Sequence, residues 1–222
     1  MKQKEHFLEE HDPERRDFQI ERLILFTDAV FAIAITLLVI EIKPQELTHL
    51  SAEQQREFWV HLIPKFAGFI ISFFVIAIYW RSHHRVFGFV TRFTEKLIWL
   101  NVFFLFTIAL LPFSSALYSE NFGATLPFVF YNMNVVIMAL ANYRLISYVF
   151  NPANQLIKHQ PSPIFIHLFK ARATAIPILF FCCALLAFLN VMPPLPIFYV
   201  LIWPMMAILS WYNKRKFKPQ DQ

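Results

Sequence analysis

Apolar residues run almost unbroken through six stretches of the chain, about 23–42, 60–80, 97–118, 126–149, 173–191 and 194–212, and polar residues collect between them. Each stretch is close to the ~20 residues an α-helix needs to cross a ~30 Å hydrocarbon core. The pattern predicts six transmembrane helices and an all-α integral membrane protein. The fourth run is the most polar, carrying Asn132, Asn134 and Asn142. The last two are joined by MPPLP (192–196), where proline's missing amide hydrogen stops a helix, so they are expected to form a tight hairpin. Pro64, Pro112, Pro177 and Pro204 fall within or near other spans, where they predict kinks whose freed carbonyls neighbouring helices can satisfy.

Composition agrees. Of 222 residues, 57% are hydrophobic, 27 are Phe and only 16% are charged, whereas a soluble domain carries about 25% charge. Charge placement then gives an orientation. Sixteen Lys and Arg fall in the N-terminal segment, between spans two and three, between spans four and five, and after span six. The connections on the other side hold two, Lys43 and Arg56. Excess Lys and Arg mark the cytoplasmic side, so both termini are expected there. The expected organisation is a cytoplasmic segment at 1–21, a six-helix unit at 22–213 and a basic tail at 214–222, in the cell membrane. The net charge of +5 then reflects topology rather than a nucleic-acid surface. Residues 1–22 are charged rather than apolar, so the first span is the expected insertion signal.

Several chemistries have no foothold. Three glycines, Gly68, Gly88 and Gly123, cannot supply a phosphate-cradling loop, a dinucleotide fingerprint or a glycine-bearing carbonyl filter. Cys182 and Cys183 are adjacent and mid-span, which reads as small buried hydrophobes rather than a disulfide framework. His83 and His84, in YWRSHHR, point about 100° apart on a helix and cannot chelate as an i, i+4 pair does. Ser114 and Ser115 have no His–Asp pattern near them in sequence. No enzyme, cofactor or resident metal is expected.

The informative stretch is RLILFTDAVFAIAITLLVIEI (22–42), apolar yet carrying Arg22, Thr27, Asp28, Thr36 and Glu41. Ionisable groups inside a membrane are costly and face protein or a water path. At 100° per residue, Ile33, Leu37 and Ile40 fall within about 60° of arc, with Thr36 at the edge of that stripe and Asp28 roughly 140° from Ile33. One face is therefore large-aliphatic, and Asp28 points toward other helices. Arg22, Thr27 and Asp28 are expected to hydrogen-bond into the belt formed by Trp80, Arg81, His83, His84 and Arg85 of span two and Trp99 and Asn101 of span three, pinning span one in place. A paired carboxylate is the tolerable kind of buried charge.

Arg22-Leu-Ile-Leu-Phe26-Thr27-Asp28 resembles the RxxxFSD signature that opens the first helix of the transmembrane protein 175 family of potassium channels, found in animal endolysosomes and in prokaryotes. The family's serine is Thr27 here, which keeps the hydroxyl. The resemblance covers residues about 20–215 and includes the basic end of span two. It implies a cation channel without a carbonyl filter, lined by the first helix of each subunit. Prokaryotic members have one six-span unit and form homotetramers, whereas animal relatives fuse two units and dimerise. Counted from the motif aspartate, the hydrophobic constriction falls on Ile33, Leu37 and Ile40, and a threonine layer tied to potassium preference falls on Thr36. Glu41 would ring the outer mouth and concentrate cations. The expected permeant ion is K+, with a moderate preference over Na+. The alternative is a proton-coupled transporter or proton pathway using Asp28 with His83 or His84.

Overall fold

The computed structural model describes residues 16–43 and 46–194, all of its regular structure being helical apart from one isolated bridge. Helix α1 runs Arg16–Ile40, α2 Ala52–Phe87, α3 Glu95–Ala109, α4 Leu111–Glu120, α5 Thr125–Val149 and α6 Pro163–Phe188, with a 3₁₀ turn at Pro152–Asn154 before α6. Counting α3 and α4 as one stretch, Glu95–Glu120, five helical segments are long and apolar enough to cross a membrane. Of the six expected spans, the sixth (194–212) lies beyond Pro194 outside the described residues, as does the tail at 214–222.

Local chemistry sets the boundaries. Ser51 caps α2 reciprocally with Gln54: the Gln54 amide donates to Ser51 Oγ at 3.3 Å, and the Ser51 amide donates to Gln54 Oε1 at 2.9 Å. That box lets α2 begin well before the expected residue 60 and run for 36 residues, about 54 Å. Thr94 caps α3 and Ser162 caps α6 one way only, their hydroxyls accepting the Leu97 and Phe165 amides. The third span was expected to be one helix over 97–118. Instead it divides at Leu110, because Pro112 has no amide hydrogen for the carbonyl four residues earlier. Helix α1 also starts earlier than expected, at Arg16, and α6 starts at Pro163 rather than 173.

Helix α1 packs against α2, α3 and α4, while α5 packs most extensively on α6 and also on α3 and α4. Two apolar cores result. One gathers Phe31, Ile76, Phe104, Ile108, Phe128 and Phe180 at mid-depth. The other gathers Val86, Phe87, Leu97, Leu145, Val149 and Leu156 beneath the 88–94 and 151–162 connections. These connections are tied together: the Leu156 carbonyl accepts the Thr91 amide at 2.8 Å and the Arg92 amide at 3.2 Å.

Candidate functional site

Beyond its charged first turns helix α1 is largely apolar, yet its two faces have different fates. Ile20, Thr27, Phe31, Ala34 and Leu38 recur at heptad-like spacing and are buried against the other helices. On the other side Phe26, Ile33, Leu37 and Ile40 are turned outward, with Ile33, Leu37 and Ile40 at 58%, 41% and 65% exposure. Thr36 shares that outward side, and its hydroxyl donates back to the Ile33 and Ala32 carbonyls at 2.9 and 3.1 Å. With its hydrogen directed to the backbone, the Thr36 oxygen keeps lone pairs for an acceptor role.

The buried face carries a chain of hydrogen bonds with one possible direction. Thr27 Oγ1 lies 2.8 Å from the Leu23 carbonyl, which can only accept, so Thr27 donates there. It must then accept from Asn101 Nδ2 at 2.8 Å, which leaves Asn101 Oδ1 facing His83 Nε2 at 2.8 Å. His83 therefore donates through Nε2, and the order is His83, Asn101, Thr27, Leu23. All three side chains are buried. The His83 ring is held between apolar neighbours, stacking on Phe87 with centroids 4.0 Å apart and lying parallel to Phe104 at 6.0 Å. One helix from each of three spans is joined in this way.

One residue further along α1, Asp28 Oδ1 accepts from Trp80 Nε1 at 2.9 Å, and His84 stacks on Trp80 at 5.6 Å. Asp28 is half-buried at the edge of the bundle. Of the expected belt, Trp80 and Asn101 bond to α1 directly, and His83 reaches it through Asn101. Arg81 and Trp99 do not: both are exposed, and no hydrogen bond or ion pair joins either to α1 among the described residues. Arg22 does not enter the network either; its guanidinium stands 5.8 Å over the Phe18 ring. Five residues of helix separate it from Thr27, a rotation of about 140°, so the two cannot share a face. Glu41, just past the end of α1, is half-buried in a small crevice with Lys65, Ser115 and Ser119.

A second polar chain lay beyond sequence reasoning. Tyr131 and Ser72 hydroxyls are 3.1 Å apart, Ser72 donates to Ser115 at 2.8 Å, and Ser115 donates to the Gly68 carbonyl at 3.3 Å. It joins α2, α4 and α5. The signal available was small hydroxyl residues inside apolar runs, which commonly bond between membrane helices. Among the described residues, no three His, Cys, Asp or Glu side chains gather as a metal site.

Residues 22–112, which hold the whole of this arrangement on α1, α2 and α3, match the family model for the endosomal/lysosomal potassium channel TMEM175. Over those residues the chain is similar to the TMEM175 family. A potassium channel of Streptomyces collinus is 36% identical over 130 residues, covering 54% of this chain and 59% of that protein. The chain thus spans about three-fifths of the length of this curated relative. An endosomal/lysosomal proton channel TMEM175 of Rattus norvegicus is 26% identical over 147 residues, covering 63% of this chain and 29% of the rat protein. The fold is shared with the crystal structure of a lysosomal potassium-selective channel TMEM175 homologue from Chamaesiphon minutus. The TM-score is 0.69 at 23% identity, over 88% of this chain and 98% of that one.

Proposed function

We propose that the chain is one subunit of a homotetrameric, potassium-permeable cation channel in the cell membrane, and not an enzyme. The observation that carries this reading is the division of α1. One face is locked into the subunit through Thr27, Phe31, Ala34 and Leu38, and the other presents Ile33, Leu37, Ile40 and Thr36 outward. Four copies would bring those outward faces together around one axis. Rings of Ile33, Leu37 and Ile40 would make a constriction that gates by dewetting. Potassium holds its hydration shell less tightly than sodium and would lose less on entry, giving a moderate preference. The Thr36 oxygen would coordinate the partly dehydrated ion. Glu41 would add negative charge near the outer mouth, although its crevice beside Lys65 makes it the weakest member of the set.

The proton-pathway reading draws on the name of the rat relative and on the nearness of Asp28 to His84 through Trp80. The indole N–H only donates, so it cannot pass a proton on to Asp28 and receive another from the imidazole stacked upon it. Among the described residues no hydrogen bond joins Asp28 to His83 or His84, which favours the channel.

The test is the reversal potential of the purified protein in a planar bilayer with potassium on one side and sodium on the other. A potential displaced toward the potassium equilibrium value supports the proposal. Uptake that follows pH with no unitary current would replace it with the transporter.

A further inference from the structure

Lys65 is a cation inside the apolar run of the second span, and the division of α1 does not account for it. Ionisable residues within membrane spans are costly and mark either a path or a partner. The partner in reach is Glu120 at the end of α4, whose Oε1 lies 3.9 Å from Lys65 Nζ, beyond hydrogen-bonding distance. Lys65 also walls the crevice into which Glu41 turns from the end of α1, together with Ser115 and Ser119. Both hydroxyls donate to carbonyls, of Gly68 and Ala116, so they offer the crevice only oxygen. Among the described residues no hydrogen bond or ion pair reaches the Glu41 carboxylate, and Lys65 is the positive group that shares its crevice. The other charged or titratable groups nearby are Lys43, Glu57 and His61, which with Lys65 line an open groove at the same end of α2.

Position gives these charges reach. Ile40, the last member of the outward stripe, immediately precedes Glu41. A helix with its side chains is about 10–12 Å across, so charges in the crevice stand about 10 Å from the outward face. That is close to one Debye length at ~0.1 M salt. They can act on an ion at the outward face without pointing at it. The carboxylates of Glu41 and Glu120 attract cations there, as does the C-terminal end of the α1 dipole, equivalent to about half a negative charge. Lys65 opposes them. Resting on the channel reading above, we propose that Lys65 limits the supply of cations at the Glu41 end of the pore by cancelling part of this negative charge. Four subunits would place four such ammonium groups around the axis, so a small contribution from each is multiplied. The role is electrostatic and involves no contact between Lys65 and the ion.

Unitary potassium currents in both directions are recorded from membrane patches of cells expressing the full chain, at about 0.1 M and about 1 M potassium. Lys65→Gln is expected to raise the current entering at the Glu41 end about twofold at the lower salt. At the higher salt, where the Debye length falls to ~3 Å, it is expected to stay within about 20% of the parent. Lys65→Arg keeps the charge and is expected to match the parent at both. Glu120→Gln, at an exposed site, removes the opposing carboxylate and is expected to lower the same current about twofold. Glu53→Gln, about 18 Å further along α2, is expected to leave it unchanged. A parent-like current in Lys65→Gln overturns the proposal. So does a gain that persists at the higher salt or that Lys65→Arg reproduces, or an undiminished current in Glu120→Gln. If Lys65→Gln does not assemble, Glu120→Gln decides alone. All of these outcomes leave the channel reading standing, whereas a folded parent that passes no potassium current removes that reading and this one with it.

Discussion

The amide of Asn101 donates to the hydroxyl of Thr27 at 2.8 Å, joining the first and third spans across 74 residues of chain. Because Thr27 must donate onward to the Leu23 carbonyl, the same bond fixes which atom of Asn101 faces His83. The polar residue in the opening motif thus works through an acceptor lone pair as well as a hydroxyl hydrogen.

Thr27→Val retains the shape and removes both functions, leaving the Asn101 amide hydrogen unpaired in a buried site. It is expected to destabilise the protein by about 1–3 kcal/mol, read as a lowered melting temperature in detergent. Thr27→Ser keeps the hydroxyl and is expected to stay within about 1 kcal/mol of the parent. Equal losses for Val and Ser would show that the methyl packing, not the hydrogen bond, holds α1.

His83→Phe should fit between Phe87 and Phe104 but leaves Asn101 Oδ1 without its donor. Asn101→Leu removes the other partner. In a double-mutant cycle the pair is expected to couple by about 1 kcal/mol or more, since groups in one hydrogen-bonded network are not additive. Strict additivity of the two losses would contradict the bonded order His83, Asn101, Thr27.

Asp28→Asn keeps a carbonyl for Trp80 Nε1 while removing the charge. As a prediction of the clasp role, folded protein still conducts, with its stability lowered by about 1–2 kcal/mol through lost charge-assisted bonding. The paired measurement is current against pH in the same bilayers. Loss of all transport in a well-assembled Asp28→Asn protein would move the assignment to a proton relay.

How much of this was visible in the amino-acid order differs from place to place. The first, second, fourth and fifth apolar runs mark helices because the membrane allows little else of that length and composition. Helix ends were harder. The polar turns at 52–59 belong to α2 because Ser51 and Gln54 close a capping box, a signal that hydropathy alone passes over. The division of the third span at Leu110 follows from Pro112, read in sequence as a kink rather than a break. At the candidate site, helical rotation separates the outward Ile33, Leu37 and Ile40 from inward Thr27. It does not tell which member of a crowded belt will bond: Trp80, His83 and Asn101 do, while Arg81 and Trp99, at similar depth, point away. That choice depends on how three helices are rotated against one another, which no single periodicity contains.

Ile33→Asn is expected to hydrate the constriction, raising basal current and moving the potassium–sodium reversal potential toward zero. The motive is the outward position of Ile33 on α1, 58% exposed in the single subunit. Parent-like current and selectivity in a correctly assembled variant would remove Ile33 from the gate.

Thr36→Ala takes away the oxygen and should reduce potassium preference, whereas Thr36→Ser should largely preserve it. Reversal potentials of the two variants, measured side by side, decide whether the hydroxyl contributes. An identical shift in both would assign the effect to side-chain volume.

Helix α2 is too long for the bilayer it crosses. About 54 Å of rod tilted even by ~40°, near the upper limit for membrane helices, still spans about 41 Å along the normal, some 11 Å more than a ~30 Å hydrocarbon core. The polar turns at the two ends, Ala52–Phe58 and Arg81–Phe87, each roughly 10 Å long, share that excess. Each subunit should therefore raise a short stiff post above the lipid on the face opposite its basic end. A water-soluble binder could grip that post, and a turn or pull applied there would be carried along α2 to Trp80, which bonds Asp28 of α1, and to His83, which reaches α1 through Asn101.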